Sequence, residues 1–137
     1  MAVEPLSVPA ASSSTVCVVD PDAALVDRLN AMFTAMGAHV RGYATGGALL
    51  DDIGTDVPAC VICEMRLPDM TGLELLEQLR QRHLRVPFIM MSRDGDVTTA
   101  VAAMRAGALD FVEKPQVDQL LAWHVHRLLD LAGTAQD

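Results

Sequence analysis

Short runs of apolar residues alternate along the chain with segments in which apolar side chains recur every three or four positions. The runs occupy residues 15–19, 38–43, 59–63, 86–91 and 109–112. The first, third and fourth runs are almost continuously apolar, which is typical of strands covered on both faces of a parallel sheet. Such strands alternating with helical segments predict an α/β fold, a doubly wound parallel sheet of five strands with five helices.

Residues that begin and end helices lie between these runs. Pro21 follows Asp20, a candidate N-cap, at a first helical position. Thr71 and Glu74 have the spacing of a capping box, and Gly107 is a candidate C-terminal cap. Apolar stripes are predicted in the first and fourth helices: Leu25, Leu29, Met32 and Met36, then Val97, Val101 and Met104. A final helix at about 116–131 is predicted to direct four side chains inward: Leu120, Leu121, His124 and Leu128.

The length of 137 residues fits one domain with a single core. Residues 1–14 contain two prolines and a run of serines, which predicts a disordered N-terminal tail. The folded domain is predicted at 15–132 and a short C-terminal tail at 133–137.

Charge and hydropathy exclude several kinds of partner. The net charge is −8 with only 10 Lys and Arg residues and no basic run, so direct nucleic-acid binding by this chain is not expected. No apolar segment is long enough for a membrane span, and no signal peptide is evident, so we expect a cytoplasmic protein. Cys17, Cys60 and Cys63 lie inside apolar runs and are expected to be buried thiols.

Polar residues stand where four of the predicted strands end. Asp20, Glu64, Ser92 and Lys114 follow or close the first, third, fourth and fifth runs. Parallel doubly wound sheets place their sites at the carboxyl ends of the strands. Two carboxylates, a hydroxyl and an ammonium are therefore expected to converge.

These positions, together with three longer motifs, give the chain a clear family resemblance. The motifs are Met65 to Leu76, Gly95-Asp96-Val97, and Ala103 to Pro115. From about Thr15 to Leu131 the chain resembles the receiver domain of two-component response regulators, in the subgroup usually linked to LuxR-type DNA-binding domains. The resemblance implies a flavodoxin-like sheet with strand order 2-1-3-4-5 and a signalling module that is not an enzyme.

The resemblance also implies roles for individual residues. Receivers take a phosphoryl group from a histidine kinase onto an Asp that ends the third strand, with Mg²⁺ held by that Asp and an acidic pair after the first strand. Asp20 matches the first acid of the pair, Ser92 the switch hydroxyl, Lys114 the site lysine and Phe111 the aromatic switch position.

Two positions depart from the family pattern. Glu64 stands at the phosphoacceptor position, and Pro21 replaces the second acid. Glu is longer than Asp by one carbon–carbon bond of about 1.5 Å, and misplacing a reacting group by about 1 Å can slow a reaction about 100-fold. We therefore expect a weak or lost Mg²⁺ site at Asp20 and Glu64, no other cofactor, and Asp22 as the remaining acid of the pocket.

Without a metal, Lys114 is the natural partner of Glu64, so an internal ion pair is predicted. Glu64 could also hold Ser92 inward and keep the domain in an active-like state. The alternative is a conformationally inert scaffold.

The final helix is predicted to expose Trp123, the only tryptophan. Receivers of this kind dimerise or bind partners through the fourth helix, fifth strand and fifth helix, so the resemblance implies a homodimer through the final helices. The outer face of the fourth helix is predicted to be smooth: Thr98, Thr99, Ala102 and Ala103.

Three hypotheses for function remain. The leading one is an atypical receiver that acts without phosphorylation, through dimerisation or by docking a protein partner such as a histidine kinase or a transcriptional regulator. The second is a working phosphoacceptor with unusual Mg²⁺ ligation in a phosphorelay. The third is the regulatory half of a DNA-binding transcription factor.

Overall fold

The computed structural model describes residues 14–54, 57–114 and 117–136. The predicted N-terminal tail lies outside the described residues except for Ser14. The five strands are β1 (Thr15–Val19), β2 (His39–Tyr43), β3 (Cys60–Glu64), β4 (Phe88–Ser92) and β5 (Asp110–Glu113). The five helices are α1 (Ala23–Ala35), α2 (Gly46–Ile53), α3 (Gly72–Gln81), α4 (Val97–Arg105) and α5 (Val117–Gln136).

All strand pairings in the sheet are parallel, and the strand order is β2-β1-β3-β4-β5. This confirms the predicted doubly wound fold and the order 2-1-3-4-5. Ile62 at the centre of β3 lies opposite Val18 of β1 and Ile89 of β4. Because β3 and β4 are interior strands, all of their residues are buried.

The sheet separates two apolar layers. On one face, side chains such as Val61 and Met90 pack with Leu49 of α2 and Leu75 of α3. On the other face, alternate strand residues pack against Leu29 of α1 and Leu121 of α5. These strand residues are Val16, Val18, Ile62 and Ile89. Covering both faces leaves the carboxyl edge of the sheet as the place where strand-end side chains meet.

Helix capping follows the sequence prediction at two positions and departs from it at one. The Thr71–Glu74 capping box is present at the start of α3, and Gly107, with φ of 106°, follows the end of α4 in the left-handed region. However, α1 begins after Asp22, whose side chain is the N-cap, so the prediction that Asp20 caps this helix was wrong. The Asp20 carboxylate is instead used at the edge of the sheet.

The orientation predicted for α4 was wrong. Val97, Val101 and Met104 are 78%, 41% and 47% exposed, whereas Ala103, expected on the outer face, is 1% exposed and packs on the core. Both faces of this nine-residue helix carry small or apolar side chains, so the periodicity did not distinguish them. The apolar stripe of α4 is therefore a surface.

Helix α5 matches the prediction in part. As expected, Leu121 and His124 face inward and Trp123 is 53% exposed. Leu120 was expected to face inward but is 38% exposed, whereas Val125, which was not predicted, is buried. The helix continues to Gln136, so it includes residues 133–136 of the predicted C-terminal tail. Within the residues described, no helix combines the length and apolar character needed to cross a membrane.

Candidate functional site

Four of the predicted site residues meet at the carboxyl edge of the sheet. Glu64 and Ser92 are the last residues of β3 and β4, Asp20 follows β1, and Lys114 follows β5. Asp20, Glu64 and Ser92 are 2%, 6% and 4% exposed. Buried polar groups need partners, so the contacts of these four side chains define the chemistry of the site.

The centre of the site is a lysine between two carboxylates. Lys114 Nζ lies 2.5 Å from Glu64 Oε1 and 2.9 Å from Asp20 Oδ2. This confirms the predicted ion pair between Glu64 and Lys114 and adds Asp20 to it. Burial disfavours the ammonium, but its contacts with the negatively charged Glu64 and Asp20 carboxylates outweigh that effect and raise the pKa of Lys114 above its ordinary value of 10.5.

The other oxygen of each carboxylate is held by the main chain. The Asp22 N–H donates to Asp20 Oδ1 at 2.8 Å, and the Arg66 N–H donates to Glu64 Oε2 at 2.8 Å. Asp20 Oδ2 lies beside the charged Lys114 ammonium but accepts no well-directed hydrogen bond. Among the described residues, it is the one buried side-chain oxygen or nitrogen that lacks a hydrogen-bond partner. Both carboxylates are thus fixed in direction.

Asp22 is turned away from the other two acids. Its Oδ1 accepts hydrogen bonds from the main-chain N–H groups of Ala24 and Leu25 at 3.1 and 3.3 Å, as the N-cap of α1. Its Oδ2 lies 3.7 Å from Nη2 of Arg93. Asp22 therefore lines the pocket without adding an oxygen to the Asp20 and Glu64 pair.

This arrangement is a poor fit for Mg²⁺. That ion requires near-ideal octahedral geometry from oxygen ligands, yet the Lys114 ammonium lies against both carboxylates that would supply oxygens. Pro21 offers no side-chain oxygen. Over the ranges that the structure describes, no group of three or more His, Cys, Asp or Glu side chains is placed to hold a metal ion.

Ser92 does not make the contact proposed for it. Its hydroxyl donates to the Asp94 carbonyl and accepts from the Asp94 N–H, both at 3.2 Å. The expectation that Glu64 holds Ser92 inward was wrong, because the Glu64 carboxylate is directed to Lys114 and to the Arg66 main chain. Phe111 is half-buried and packs against the core on one face of the sheet, and its switch role stays a prediction.

The loop after β3 is fastened to α2 by contacts that sequence reasoning missed. The Asp69 carboxylate accepts hydrogen bonds from the N–H groups of Gly46 and Gly47 at 3.1 and 2.8 Å. These backbone hydrogen bonds lower the pKa of Asp69. Met70 lies so close to Gly46 that a Cβ there would be 2.5 Å from its Sδ. In the sequence, the pair Gly46-Gly47 was the signal for this contact, because glycines at the start of a helix permit such a close approach.

Two joined cavities open at the site. The smaller, of about 230 Å³, contains Glu64, Ser92 and Arg66 in its wall. The larger, of about 440 Å³, lies beside α1 and includes Arg28 and Arg93 in its wall. Arg28 and Arg93 were not singled out in the sequence, because they belong to no motif and their proximity depends on the fold.

A second polar pair links β5 to α5. His124, 9% exposed, lies 2.7 Å from Asp110 Oδ2 through its Nε2. The adjacent Trp123 ring meets the His124 ring edge to face at 5.0 Å and carries the Arg127 guanidinium 4.9 Å from its centroid. This pair was missed because only the packing of α5 on the sheet brings position 110 beside position 124.

The cysteines are free and buried, as predicted. Burial raises the pKa of the Cys17 thiol to about 11 and also raises the pKa of Cys60 and of Cys63 above the ordinary value. The three thiols are therefore protonated and unreactive near neutral pH.

Comparison with the sequences of known proteins agrees with the fold described above. The sequence profile of the response regulator receiver domain matches residues 16–125. Response regulator protein TmoT of Ectopseudomonas mendocina is 33% identical over 119 residues, covering 87% of this chain and 54% of that protein. Transcriptional regulatory protein FixJ of Bradyrhizobium diazoefficiens is 38% identical over 104 residues, covering 76% and 51%. The chain spans about half the length of these curated relatives.

Solved structures show the same architecture. The crystal structure of a CheY-like response regulator receiver domain protein from Methanospirillum hungatei JF-1 superposes with a TM-score of 0.79 at 27% sequence identity. The match covers 90% of this chain and 98% of that one. The fold is thus shared along nearly the whole of both chains.

Proposed function

Because the chain belongs to the response regulator receiver domain family, whose members are signalling modules and not enzymes, we propose that it is an atypical receiver whose output does not require phosphorylation. The proposal keeps the established place of the family in two-component signal transduction. It differs in the event that controls the signal, which becomes the binding of a protein partner or of a second copy.

The position of the Lys114 ammonium carries this proposal. It contacts both Asp20 and Glu64, so the two acids are paired with a side-chain ammonium in place of an exchangeable metal ion. Pro21 removes the second acid that follows the first strand in other receivers. The residues present therefore favour a site that is already charge-paired and binds Mg²⁺ weakly or not at all.

The direction of Glu64 supports the same conclusion. Its Oε1 is paired with Lys114 and its Oε2 accepts the Arg66 N–H, so both oxygens are held in one orientation. Phosphoryl transfer depends almost entirely on positioning and charge stabilisation. An acceptor that is displaced by one methylene and held through both oxygens is not positioned for the transfer. A weak metal site does not supply the charge stabilisation.

The test is intact-mass measurement after incubation with acetyl phosphate and Mg²⁺. The natural chain is expected to keep its mass, whereas a Glu64→Asp, Pro21→Asp variant, which restores both acids, is expected to gain one phosphoryl group. A phosphorylated natural chain would contradict the proposal and favour a phosphoacceptor with unusual metal ligation. Circular dichroism of the variant checks that it is folded.

The output surface of this proposal is the exposed apolar face of α4 together with α5. Val97, Val101 and Met104 form a stripe on α4, and Trp123 is 53% exposed on α5 beside Arg127. Aromatic and Arg side chains are frequent anchors of protein interfaces. A homodimer through these helices would cover the stripe and the tryptophan.

Sedimentation of the natural chain and of matched variants tests this surface. Val97→Ser with Met104→Ser, and separately Trp123→Ala, are expected to shift the protein towards monomer. Val57→Ser removes another exposed valine, 38% exposed, outside this surface and is expected to leave the association unchanged. A natural chain that stays monomeric at all concentrations would contradict the dimer and leave a different protein partner for the same face.

The relatives favour a transcriptional context. FixJ is named a transcriptional regulatory protein, and the match to this chain covers 51% of it. In this proposal the chain regulates a LuxR-type DNA-binding region or receives its input from a histidine kinase. Hydrogen exchange provides the test, because docking of such a region is expected to protect the amides of α4 and α5. Unchanged exchange in these helices would contradict it.

A further inference from the structure

Cationic side chains gather at the carboxyl edge of the sheet far more than the composition of the chain would suggest. The sequence has 10 Lys and Arg residues and a net charge of −8. Four of the ten line the two joined cavities: Arg28, Arg66, Arg93 and Lys114. Four carboxylates also line them, of which Asp22 alone lines the larger cavity: Asp20, Asp22, Glu64 and Asp94. The cavities share Asp22, Arg93 and Lys114, so they form one cleft. The Glu64 site occupies only the smaller part of it.

The larger cavity has two cations that the site does not use. The charge of Lys114 is already matched by buried carboxylates. Among the residues that the structure describes, Arg28 has one ionic contact, 3.1 Å to Asp118, and Arg93 has one, 3.7 Å to Asp22. Both side chains are more than half exposed, at 57% and 71%, and such surface pairs contribute little to stability. Their guanidinium donors are therefore available to a ligand.

We propose that this cleft binds a small organic dianion, with one oxyanion group against Arg28 and the other against Arg93. Guanidinium groups match the geometry of carboxylate and phosphate groups with paired hydrogen bonds. The apolar lining by Ala24 and Leu25 suits the carbon skeleton between the two groups. A volume of about 440 Å³ lies within the range of small-molecule sites.

The proposal is independent of whether Glu64 accepts a phosphoryl group. The dianion meets side chains of α1 and of the segment after β4, whereas Glu64 ends β3. It would give a receiver without a metal site a second kind of input, the concentration of a metabolite. Ligand contacts on both sides of the cleft would join α1 to the β4–α4 segment.

Titration of the ¹⁵N-labelled chain with ethane-1,2-diphosphonate and with succinate, in low-salt buffer without divalent metal, tests the proposal. Both probes have a two-carbon skeleton, so they separate phosphonate from carboxylate recognition, and inorganic phosphate is the probe with a single group. Saturable shifts are expected for amides at residues 22–28 and 93–94 with at least one of the two dianions. The dissociation constant is expected to be at least about tenfold lower than for inorganic phosphate, since the second group adds a charge-assisted contact.

Charge variants decide between a specific site and general attraction. Arg28→Ala and Arg93→Ala are each expected to weaken binding of the dianion by at least about tenfold. Arg85→Ala removes an exposed arginine from the opposite end of the sheet and is expected to leave binding unchanged. Asp118→Asn frees Arg28 from its competitor and is expected to tighten binding.

Three results would overturn the site. The first is a lack of saturable binding with both dianions. The second is equal weakening by Arg85→Ala and by the two cleft variants, which would indicate diffuse attraction only. The third is weaker binding in Asp118→Asn, because a ligand held by Arg28 gains from removal of the carboxylate beside it.

Discussion

Lys114 Nζ lies 2.5 Å from Oε1 of Glu64, and this ion pair joins the end of β3 to the residue that follows β5. These strands are not neighbours, because β4 lies between them. The pair therefore bridges an intervening strand across the carboxyl edge of the sheet, where no main-chain hydrogen bond can connect β3 with β5. Its removal affects both the electrostatics of the site and the attachment of the edge strand.

Replacing Lys114 with Met is expected to destabilise the fold. The change leaves the carboxylates of Asp20 and Glu64 buried without their cation. Breaking a fully buried pair costs about 3–5 kcal/mol, and the partial exposure of Lys114, 12% for its side chain, reduces the expected loss to about 2 kcal/mol. Urea unfolding measures the loss, and a Lys114→Met, Glu64→Gln double variant should recover part of it. Equal stability of the single variant and the natural chain would contradict the bridge.

The same pair predicts how stability depends on alkaline pH. The pKa of Lys114 is raised in the folded protein, because its contacts with the Glu64 and Asp20 carboxylates outweigh the effect of burial. A raised lysine pKa contributes stability that is complete below the ordinary value of 10.5 and is lost as the pH rises through the folded value. The difference in unfolding free energy between the natural chain and Lys114→Met should therefore be constant from pH 7 to pH 10 and shrink above 10.5. A constant difference to higher pH would show that Lys114 acts through packing.

The strands could be predicted from the sequence because their cause is local, whereas the order of the sheet was implied by the family resemblance. A run such as 59–63 has nearly continuous apolar side chains, and only an interior parallel strand buries all of them. The Glu64–Lys114 pair could also be predicted, since two strand ends and opposite charges determine it. The capping box of Thr71 was visible for the same reason.

The features that were missed depend on distances that no local pattern contains. The inner face of α4 is set by Ala103, one of several small residues, so the orientation of the helix follows from packing and not from periodicity. Asp22 and Asp20 compete for one helix start, and the structure gives the cap to Asp22. The His124–Asp110 contact requires the angle of α5 on the sheet. Each case is a tertiary choice between nearly equal local options.

Gly72 is expected to tolerate no side chain. A Cβ at this position would lie 2.5 Å from Met90 Sδ and 2.8 Å from the main-chain oxygen of Glu64. The thioether can move, but the carbonyl belongs to a buried strand, so Gly72→Ala must shift the start of α3 or the end of β3. Overpacking of this kind costs about 1–3 kcal/mol. Thermal or urea unfolding tests it, and amide shifts near Glu64 should accompany the loss. An Ala variant as stable as the natural chain would contradict the close approach.

Asp69→Asn tests whether the loop after β3 is held by charge. The carboxylate accepts two hydrogen bonds from the first N–H groups of α2, at Gly46 and Gly47, where a negative charge also favours the helix dipole. Asn keeps one acceptor oxygen but loses the charge. Because the carboxylate is exposed and screened by solvent, the expected loss of unfolding free energy at pH 7 is only about 0.5 kcal/mol.

The pH dependence of that loss separates this interaction from a change in packing. The hydrogen bonds lower the pKa of Asp69, so its contribution is present above the ordinary value of 3.8 and is lost as the pH falls through the folded value. The stability difference between the natural chain and Asp69→Asn should therefore close as the solution is acidified below pH 3.8. Asp51→Asn, on the exposed surface of α2, should show no destabilisation at pH 7. A difference that persists in acid would mean that the Asp69 side chain holds the loop by shape, and that the charge at the start of α2 is incidental.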